Sequence, residues 1–318
     1  MAQGTTTRTG AKAVAASRDG RGAIREGRLD LHSHSTFSDG SETARTLMRQ
    51  ARALGLAGLA VTDHDCIRQL SAVRQMAREE GLPVLAGCEV SAFDPASGHK
   101  VHLLAFGLEA TPDESGPLER LVAPTLRART ATTLWQAWRL WRLGELRTTG
   151  GEPFGIDRVV EVAGESEGVY KQHVMQAACG LPRRDPAYRE LYKRWFGRPD
   201  GLAASDIAYP EAEAAVRAIR TQGGVPVLAH PGQMDNWAAI PGLVAAGLMG
   251  IEAHHPDHTA ADVARAREAA AAHRLFVTGG SDFHGRYGTP PALGTCTVAT
   301  DEAGAAVRGL FEREASLS

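Results

Sequence analysis

The sequence lacks the patterns of a membrane-spanning or disulfide-rich protein. Its 318 residues contain no apolar run near the ~20 residues that a transmembrane helix needs. The four cysteines are widely spaced, and no C-x-x-C pair occurs among them. This spacing argues against a disulfide framework and against a thiolate zinc site. We therefore expect a cytoplasmic protein without membrane contacts.

The sequence also lacks a strong charge of either sign. Lys and Arg number 35 against 37 Asp and Glu, so the formal net charge is −2. Such a chain exerts no long-range attraction on a phosphate backbone, and long nucleic acid is not an expected partner. Residues 1–28 hold six of the basic side chains, two acids and no hydrophobic stretch. We interpret them as a flexible basic leader rather than a secretory signal.

Short apolar strands alternate with amphipathic helices in residues 29–109 and again in residues 209–318. One example is the apolar run Leu56–Val61, which is followed by a helical pattern over Ile67–Glu80. Alternation of this kind is typical of a parallel sheet covered by helices.

Residues 110–208 interrupt this alternation and contain mainly helical patterns. In one of these helices, Trp135, Trp138 and Trp141 recur at every third position. We expect the three indole rings to pack as one buried helix face. The segment is therefore predicted to be a helical insertion between two α/β segments.

Twelve histidines are the most informative feature of the composition. Imidazoles and carboxylates follow or end the predicted strands at His32, His34, Asp63, His64, Asp65, Glu89, His102, His230, His254, His255, His258, Asp282 and His284. Because the carboxyl ends of parallel strands meet at one face, these side chains should converge. Any one of them could instead simply hydrogen-bond a neighbouring loop. Coincidence at six or more strand ends is a poor explanation, and the set exceeds what one ion can use. The absence of cysteine suits Zn²⁺, Mn²⁺ or Fe²⁺.

Several short motifs in chain order carry a family resemblance. They are His32-x-His34, Ser38-Asp39-Gly40, Thr62-Asp63-His64-Asp65, Gly87-Cys88-Glu89, Val101-His102, Ala229-His230-Pro231-Gly232, Gly250-Ile251-Glu252 and Ser281-Asp282-Phe283-His284-Gly285. Over about residues 29–298 the chain resembles the PHP (polymerase and histidinol phosphatase) superfamily, and within it the stand-alone phosphoesterases with a helical insertion. The resemblance implies an α/β fold, a distorted (β/α)7 TIM-like barrel built from residues 29–109 and 209–318. The insertion 110–208 would form part of the substrate pocket.

The resemblance also implies nine ligands for two or three divalent ions of manganese, iron or zinc. The first ion would take His32, His34, Glu89 and Asp282; Glu89 would bridge to a second ion completed by His102 and His230; a third would take Asp39, His64 and His284. Asp39 stands where some relatives carry histidine, and a carboxylate there suits Mn²⁺ or Fe²⁺ at least as well as Zn²⁺.

The activity implied by this resemblance is metal-dependent hydrolysis of a small organophosphate, by attack of a metal-bridging hydroxide on phosphorus. A nucleotide, nucleoside bisphosphate, sugar phosphate or cyclic phosphate would be the substrate. His258 or His255 would protonate the leaving group. Lys171, His173 and His258 would bind the substrate. Lys171 replaces the arginine that relatives often carry, and it could equally be a solvated helix end.

Two other functions are compatible with the same motifs. One is a 5′–3′ exonuclease acting on short RNA or DNA oligonucleotides, an activity that the superfamily also contains. The other is a regulatory module that binds metal without turnover. A missing ligand would indicate the second, and no ligand position is missing.

Metal content provides the first test of this interpretation. We expect elemental analysis of active protein to find at least two divalent ions per chain, because nine ligands exceed the coordination of one ion. Active preparations with fewer than two ions per chain would contradict the cluster.

Overall fold

The structure, a computed structural model, describes residues 24–109, 111, 115–289 and 292–317. Its strands are β1 (Arg28–Asp30), β2 (Gly58–Val61), β3 (Val84–Ala86), β4 (Cys88–Asp94), β5 (His99–Phe106), β6 (Val225–Leu228), β7 (Gly250–His254), β8 (Phe276–Gly279) and β9 (Val298–Ala299). Its helices are α1 (Ala44–Ala53), α2 (Leu70–Glu80), α3 (Pro117–Arg142), α4 (Ile156–Ala163), α5 (Lys171–Ala178), α6 (Pro186–Phe196), α7 (Ala212–Thr221), α8 (Pro231–Met234), α9 (Ile240–Ala246), α10 (Ala260–His273) and α11 (Thr300–Ser316).

The predicted leader overlaps the described residues only at positions 24–28, and residues 1–23 of it lie outside them. Ile24 is buried, and β1 begins at Arg28. The folded part of the chain therefore begins earlier than residue 29. Among the described helices, none combines the length and the apolar character needed to span a bilayer.

The strands form a mixed α/β fold with two open sheets rather than one closed barrel. The first sheet has the order β3-β2-β1-β9, and the second has the order β4-β5-β6-β7-β8. The two meet where the Leu31 N–H, just after β1, donates to the Gly279 carbonyl of β8 at 3.0 Å. The expectation of a wholly parallel sheet is wrong, because β5 runs antiparallel to both β4 and β6. Only residues 95–98 separate β4 from β5, and a parallel pairing would need a crossover of roughly a dozen residues.

Gly87 alone separates β3 from β4, and the two strands belong to different sheets. A Cβ atom at this position would lie 2.7 Å from the carbonyl oxygen of Ala105. Only glycine therefore allows the backbone to pass so close to β5. The transfer between sheets places Glu89, two residues later, beside the end of β2, where it bridges to His64.

The strands bury both faces. In β5, Leu103 and Ala105 join a cluster with apolar side chains of α1, α2, α7, α9 and α10. Leu104 and Phe106 point the other way and join a cluster with α11. This alternation is the period of two expected of a strand. It leaves the polar strand ends as the place where charged side chains collect.

Helices α3–α6 carry a separate apolar core. The expectation that the three tryptophans pack as a buried face is wrong, since Trp135, Trp138 and Trp141 are 42%, 45% and 51% exposed. The buried side of α3 instead follows Gln136, Ala137 and Leu140, at the helical spacing of three and four. The tryptophans lie on the remaining surface, where Arg139 and Arg142 stack over two of their rings.

A buried ion pair joins α2 to α11. Arg74 Nε lies 2.8 Å from Glu314 Oε1, and the two side chains are 5% and 4% exposed. The guanidinium also donates to the Leu108 carbonyl at 2.7 Å. The same glutamate oxygen accepts from the Ala86 N–H of β3 at 3.2 Å. The pair therefore ties two helices to the first sheet.

We expect Glu314→Ala to lower the free energy of unfolding by about 3–5 kcal/mol, because it leaves the Arg74 guanidinium buried without its counter-charge. Urea denaturation would measure the change. Glu312→Ala, at an exposed position of the same helix, is the matched control and should shift stability by less than about 0.5 kcal/mol. Equal effects of the two substitutions would contradict this role of the pair.

Candidate metal centre

All nine predicted ligands lie in one group at the strand ends. Their positions are His32 and His34 after β1, Asp39 in the following turn, His64 after β2, Glu89 in β4, His102 in β5, His230 after β6, and Asp282 and His284 after β8. Six of them are buried, and His64, His102 and Asp282 are partly exposed.

Glu89 is the centre of this group. Its carboxylate is 1% exposed and is surrounded by five imidazoles. Oε2 lies 3.2 Å from His32 Nε2, 3.1 Å from His34 Nε2 and 3.2 Å from His64 Nδ1, and Oε1 lies 2.8 Å from His102 Nδ1 and 3.0 Å from His230 Nε2. One carboxylate thus contacts five imidazoles that come from four separate segments of the chain.

The first group of four side chains has the spacing of a metal coordination shell. Besides the contacts with Glu89 Oε2, the Asp282 Oδ1 atom lies 3.4 Å from His32 Nε2 and 3.2 Å from His34 Nε2. Ligands bound at ~2.0 Å to a tetrahedral ion are separated by about 3.3 Å. All four of these atoms are buried and lack a hydrogen-bond partner. Unpaired buried polar atoms are costly, so this donor set fits a divalent ion.

Two further groups could each hold an ion. One comprises His34, Asp39, His64 and His284, and the other comprises His64, Glu89 and His102. The structure therefore adds His34 to the predicted third set and brings His64 to the predicted second set. His230 nevertheless lies against the second group through its contact with Glu89. Because His64 belongs to both groups, the two candidate sites are adjacent and share this side chain.

Charge coupling keeps the ligand carboxylates ionised. Burial would raise the pKa of Glu89, but the surrounding imidazoles of His64, His32 and His102 outweigh it and hold that pKa well below its usual range. Burial likewise opposes the charged form of His34, yet the neighbouring carboxylates of Asp282 and Glu89 raise its pKa to about 10. In contrast, burial holds the pKa of His64 well below its usual range. Ionised carboxylates and a neutral imidazole are the forms that bind metal.

Known proteins resemble the chain along most of its length. The profile of the PHP domain matches residues 30–122. A phosphoribosyl 1,2-cyclic phosphate 1,2-diphosphodiesterase of Eggerthella lenta is 44% identical over 83% of this chain and 97% of its own. The chain belongs to the PHP family. A 3′,5′-nucleoside bisphosphate phosphatase of Chromobacterium violaceum is 29% identical over 80% of this chain and 87% of its own.

Solved structures agree with this membership. A Bifidobacterium adolescentis protein assigned to the metal-dependent phosphoesterases superposes with a TM-score of 0.74, at 30% identity over 90% of this chain and 96% of that one. The protein is thus a metal-dependent phosphoesterase of the PHP family, a hydrolase that acts on phosphate esters.

A second layer of carboxylates orients the ligands of this PHP enzyme. Glu252 is fully buried, and its two oxygens lie 3.2 and 3.3 Å from His32 Nδ1. It also accepts the His230 N–H at 2.9 Å. A carboxylate on Nδ1 fixes the tautomer that leaves Nε2 free to bind a metal. The sequence contains Glu252 in a motif but gives no sign that its partner is His32.

Two more buried aspartates brace the loops that carry ligands. Asp63 accepts from the Ser35 N–H and from the hydroxyls of Ser35 and Ser38 at 2.7–2.8 Å. Asp30 accepts from the N–H and hydroxyl of Ser281 at 2.9 and 2.6 Å. Burial raises the pKa of Asp30 to about 6. These contacts secure the turns on either side of the cluster.

His258 does not have a free ring nitrogen. Its Nδ1 donates to the Ala253 carbonyl at 2.8 Å, and its Nε2 accepts from the Gly232 N–H at 3.0 Å. The prediction that His258 donates a proton or binds substrate conflicts with these two bonds. They instead connect the loop after β7 to the loop after β6. His255 accepts from the Asp257 N–H at Nδ1, so its Nε2 carries the proton and faces Asp282 Oδ2 at 3.4 Å. His255 therefore contacts a ligand carboxylate rather than open space.

The two predicted substrate residues of α5 lie in different environments. His173 is buried, and its Nδ1 accepts from the Tyr170 N–H at 3.2 Å to close the first turn of the helix. This bond leaves Nε2 as the nitrogen for the contact with phosphate that the sequence predicts. Lys171, in contrast, lines a cavity beside the cluster. Its neighbour Gln172, which the sequence did not indicate, donates to Asp39 Oδ2 at 2.7 Å.

This cavity has a volume of about 260 Å³ and lies against Asp39, His64 and His102. Its other walls carry three cationic side chains, Lys100, Arg129 and Lys171, and three tyrosines, Tyr170, Tyr192 and Tyr209. A larger cavity of about 510 Å³ beside α3 touches none of the nine ligands. Arg129 and Lys100 were not predicted, because nothing in the sequence distinguishes them from solvated positions on a helix and a strand.

We expect Glu252→Gln to lower metal affinity about 10- to 100-fold, because the amide holds His32 less firmly in the metal-binding tautomer. Competition with a chromophoric chelator would measure it. Glu302→Gln is a matched control, since Glu302 also pairs with a histidine, His254, outside the cluster. Unchanged affinity in Glu252→Gln would contradict the orienting role.

Proposed function

We propose that this PHP enzyme hydrolyses a small phosphorylated sugar or nucleoside, with a phosphoribosyl cyclic phosphate as the foremost candidate. The cavity of about 260 Å³ against Asp39, His64 and His102 carries this proposal. A volume below the usual ~300–1,000 Å³ of ligand pockets favours a sugar phosphate over an oligonucleotide. The cyclic phosphate is favoured because the Eggerthella lenta relative, with 44% identity, bears that substrate in its name.

In this proposal the nine clustered side chains hold two or three ions of manganese, iron or zinc. When bound, such ions polarise a phosphoryl oxygen and lower the pKa of a water molecule. The chain keeps their ligands in place. Gln172 holds one oxygen of Asp39, while the other faces His284 at 3.4 Å. The Tyr170 hydroxyl donates to the His64 carbonyl at 2.9 Å.

The two parts of the chain would have separate tasks. Residues 29–109 and 209–318 supply the nine metal ligands, and the insertion 110–208 supplies Arg129, Tyr170 and Lys171 to the cavity. Lys171 has no carboxylate partner among the ion pairs of the described residues. Its Nζ lies 5.5 Å from the centre of the Phe196 ring. Burial lowers the pKa of Lys171. A substrate phosphate would supply the missing negative charge, so we assign Lys171 to substrate binding.

A phosphate-release screen with Mn²⁺ tests the proposal. It should compare sugar phosphates, cyclic phosphates, nucleotides, nucleoside bisphosphates and labelled RNA or DNA oligonucleotides. We expect turnover of a small sugar or cyclic phosphate and much weaker cleavage of oligonucleotides. Preference for oligonucleotide 5′ ends would favour the exonuclease alternative. No release from any of these compounds would contradict the proposed function.

We expect His64→Ala to reduce kcat by more than the roughly 100-fold loss that follows removal of an outer-shell partner. His64 adjoins both neighbouring groups of ligands, so its loss weakens two sites. Steady-state kinetics and elemental analysis would measure turnover and bound metal together. His273→Ala, at the end of α10, is the control and should behave as wild type. Wild-type turnover in His64→Ala would contradict the assignment.

A further inference from the structure

Arg129 is held in a fixed position at the side of the cavity. Its Nη2 donates to Asp65 Oδ2 at 2.7 Å and to Ser91 Oγ at 2.8 Å. The centre of its guanidinium lies 5.3 Å from the Tyr170 ring and 6.0 Å from the Tyr209 ring. The side chain is 19% exposed, and α3 brings it to the cavity from within the insertion. Hydrogen bonds and aromatic rings therefore fix the guanidinium before any ligand arrives.

The hydrogen bonds of Arg129 leave much of its donor capacity unused. A guanidinium carries five N–H donors, and the two bonds from Nη2 leave three. The Nε atom is buried and offers no surface to a ligand. The hydrogen bonds to Asp65 and Ser91 both start from Nη2, and none from Nη1 is among those of the described residues. The two Nη1 hydrogens are therefore the donors that an acceptor in the cavity could take.

The charges around the cavity indicate what that acceptor is. Lys100 pairs with Asp206 at 3.1 Å, and Arg129 pairs with Asp65, whereas Lys171 has no carboxylate partner among the described residues. These three cations thus face two compensating carboxylates, and one positive charge remains. The metal cluster has its own carboxylates, Asp39, Glu89 and Asp282. An anionic group in the cavity, apart from the phosphate at the cluster, would neutralise the remaining positive charge.

We propose that Arg129 is the specificity-determining residue for a second, non-scissile phosphate of the substrate. This inference rests on the proposed function and deepens it, because it requires a substrate with two phosphate groups. Because Asp65 and Ser91 take both hydrogens of Nη2, the phosphate would accept from Nη1, which the planar guanidinium holds in a fixed direction. A lysine ammonium at the end of a flexible chain has no such fixed direction. The brace of Asp65 and Ser91 orients the fork, and Lys171 adds a point charge to the same cavity.

A matched pair of substrates tests Arg129 directly. Ribose 1,2-cyclic phosphate would be compared with the same compound carrying a second phosphate on carbon 5, using metal-loaded full-length enzyme. In wild type we expect a KM roughly 10- to 100-fold lower for the doubly phosphorylated compound, the range expected for charge-assisted hydrogen bonds. Arg129→Met should abolish most of this difference by raising the KM of the doubly phosphorylated compound much more than that of the singly phosphorylated one. Arg129→Lys should restore part of the difference.

Controls separate this role from a purely structural one. Arg127→Met, at an exposed position of the same helix, should keep the wild-type discrimination. Metal content and melting temperature should be measured for every variant. If Arg129→Met raised the KM of both compounds equally, or if wild type did not distinguish them, the inference would be overturned and the proposed function would stand. If wild type hydrolysed neither compound nor any other phosphate ester, the proposed function itself would fail.

Discussion

The buried carboxylate of Glu89 is the constraint on which the site depends. It is nearly inaccessible, and five imidazoles lie within 3.2 Å of its oxygens. A carboxylate or a protonated imidazole buried alone at this position would cost much free energy. The cluster is stable only because opposite charges and metal-binding atoms are arranged together. Glu252, Asp63 and Asp30 fix the surrounding loops. A site of this kind has little freedom to rearrange, because moving one ligand leaves another buried and unpaired.

The two-sheet architecture makes this arrangement possible. β3 and β4 are nearly continuous in sequence, but Gly87 lets the chain pass from the first sheet to the second. Glu89 follows at once and stands between histidines of both sheets. His32 and His34 extend from β1 toward Asp282, near the hydrogen bond that joins β1 to β8. The predicted ligands therefore come from distant parts of the chain, yet all except Asp39 lie in a strand or shortly after one, which limits their motion.

The insertion lines the cavity and contains none of the nine predicted ligands. Its helices have their own core, so they can hold side chains at the cavity without disturbing the sheets. Through Tyr170 and Gln172 the insertion also contacts the loops of His64 and Asp39. Substrate recognition and ligand geometry are consequently connected by direct hydrogen bonds. A change of substrate within this fold would need changes mainly in α3 and α5, because the metal ligands lie elsewhere.

The sequence by itself determined the α/β character, the helical insertion and the nine side chains that meet at the strand ends. The α/β character and the insertion follow from apolar periodicity, which is local, and the nine side chains follow from the family resemblance of the short motifs that contain them. Which side-chain nitrogens already have hydrogen-bond partners depends on the tertiary structure. His258 looked available, but the Gly232 N–H and the Ala253 carbonyl occupy both of its ring nitrogens, and the Tyr170 N–H occupies Nδ1 of His173. Arg129 looked like an ordinary helix residue until Asp65 and Ser91, far away in the chain, fixed it at the cavity. Hydrogen-bond partners are set by distances across the fold, and no pattern of neighbouring residues encodes them.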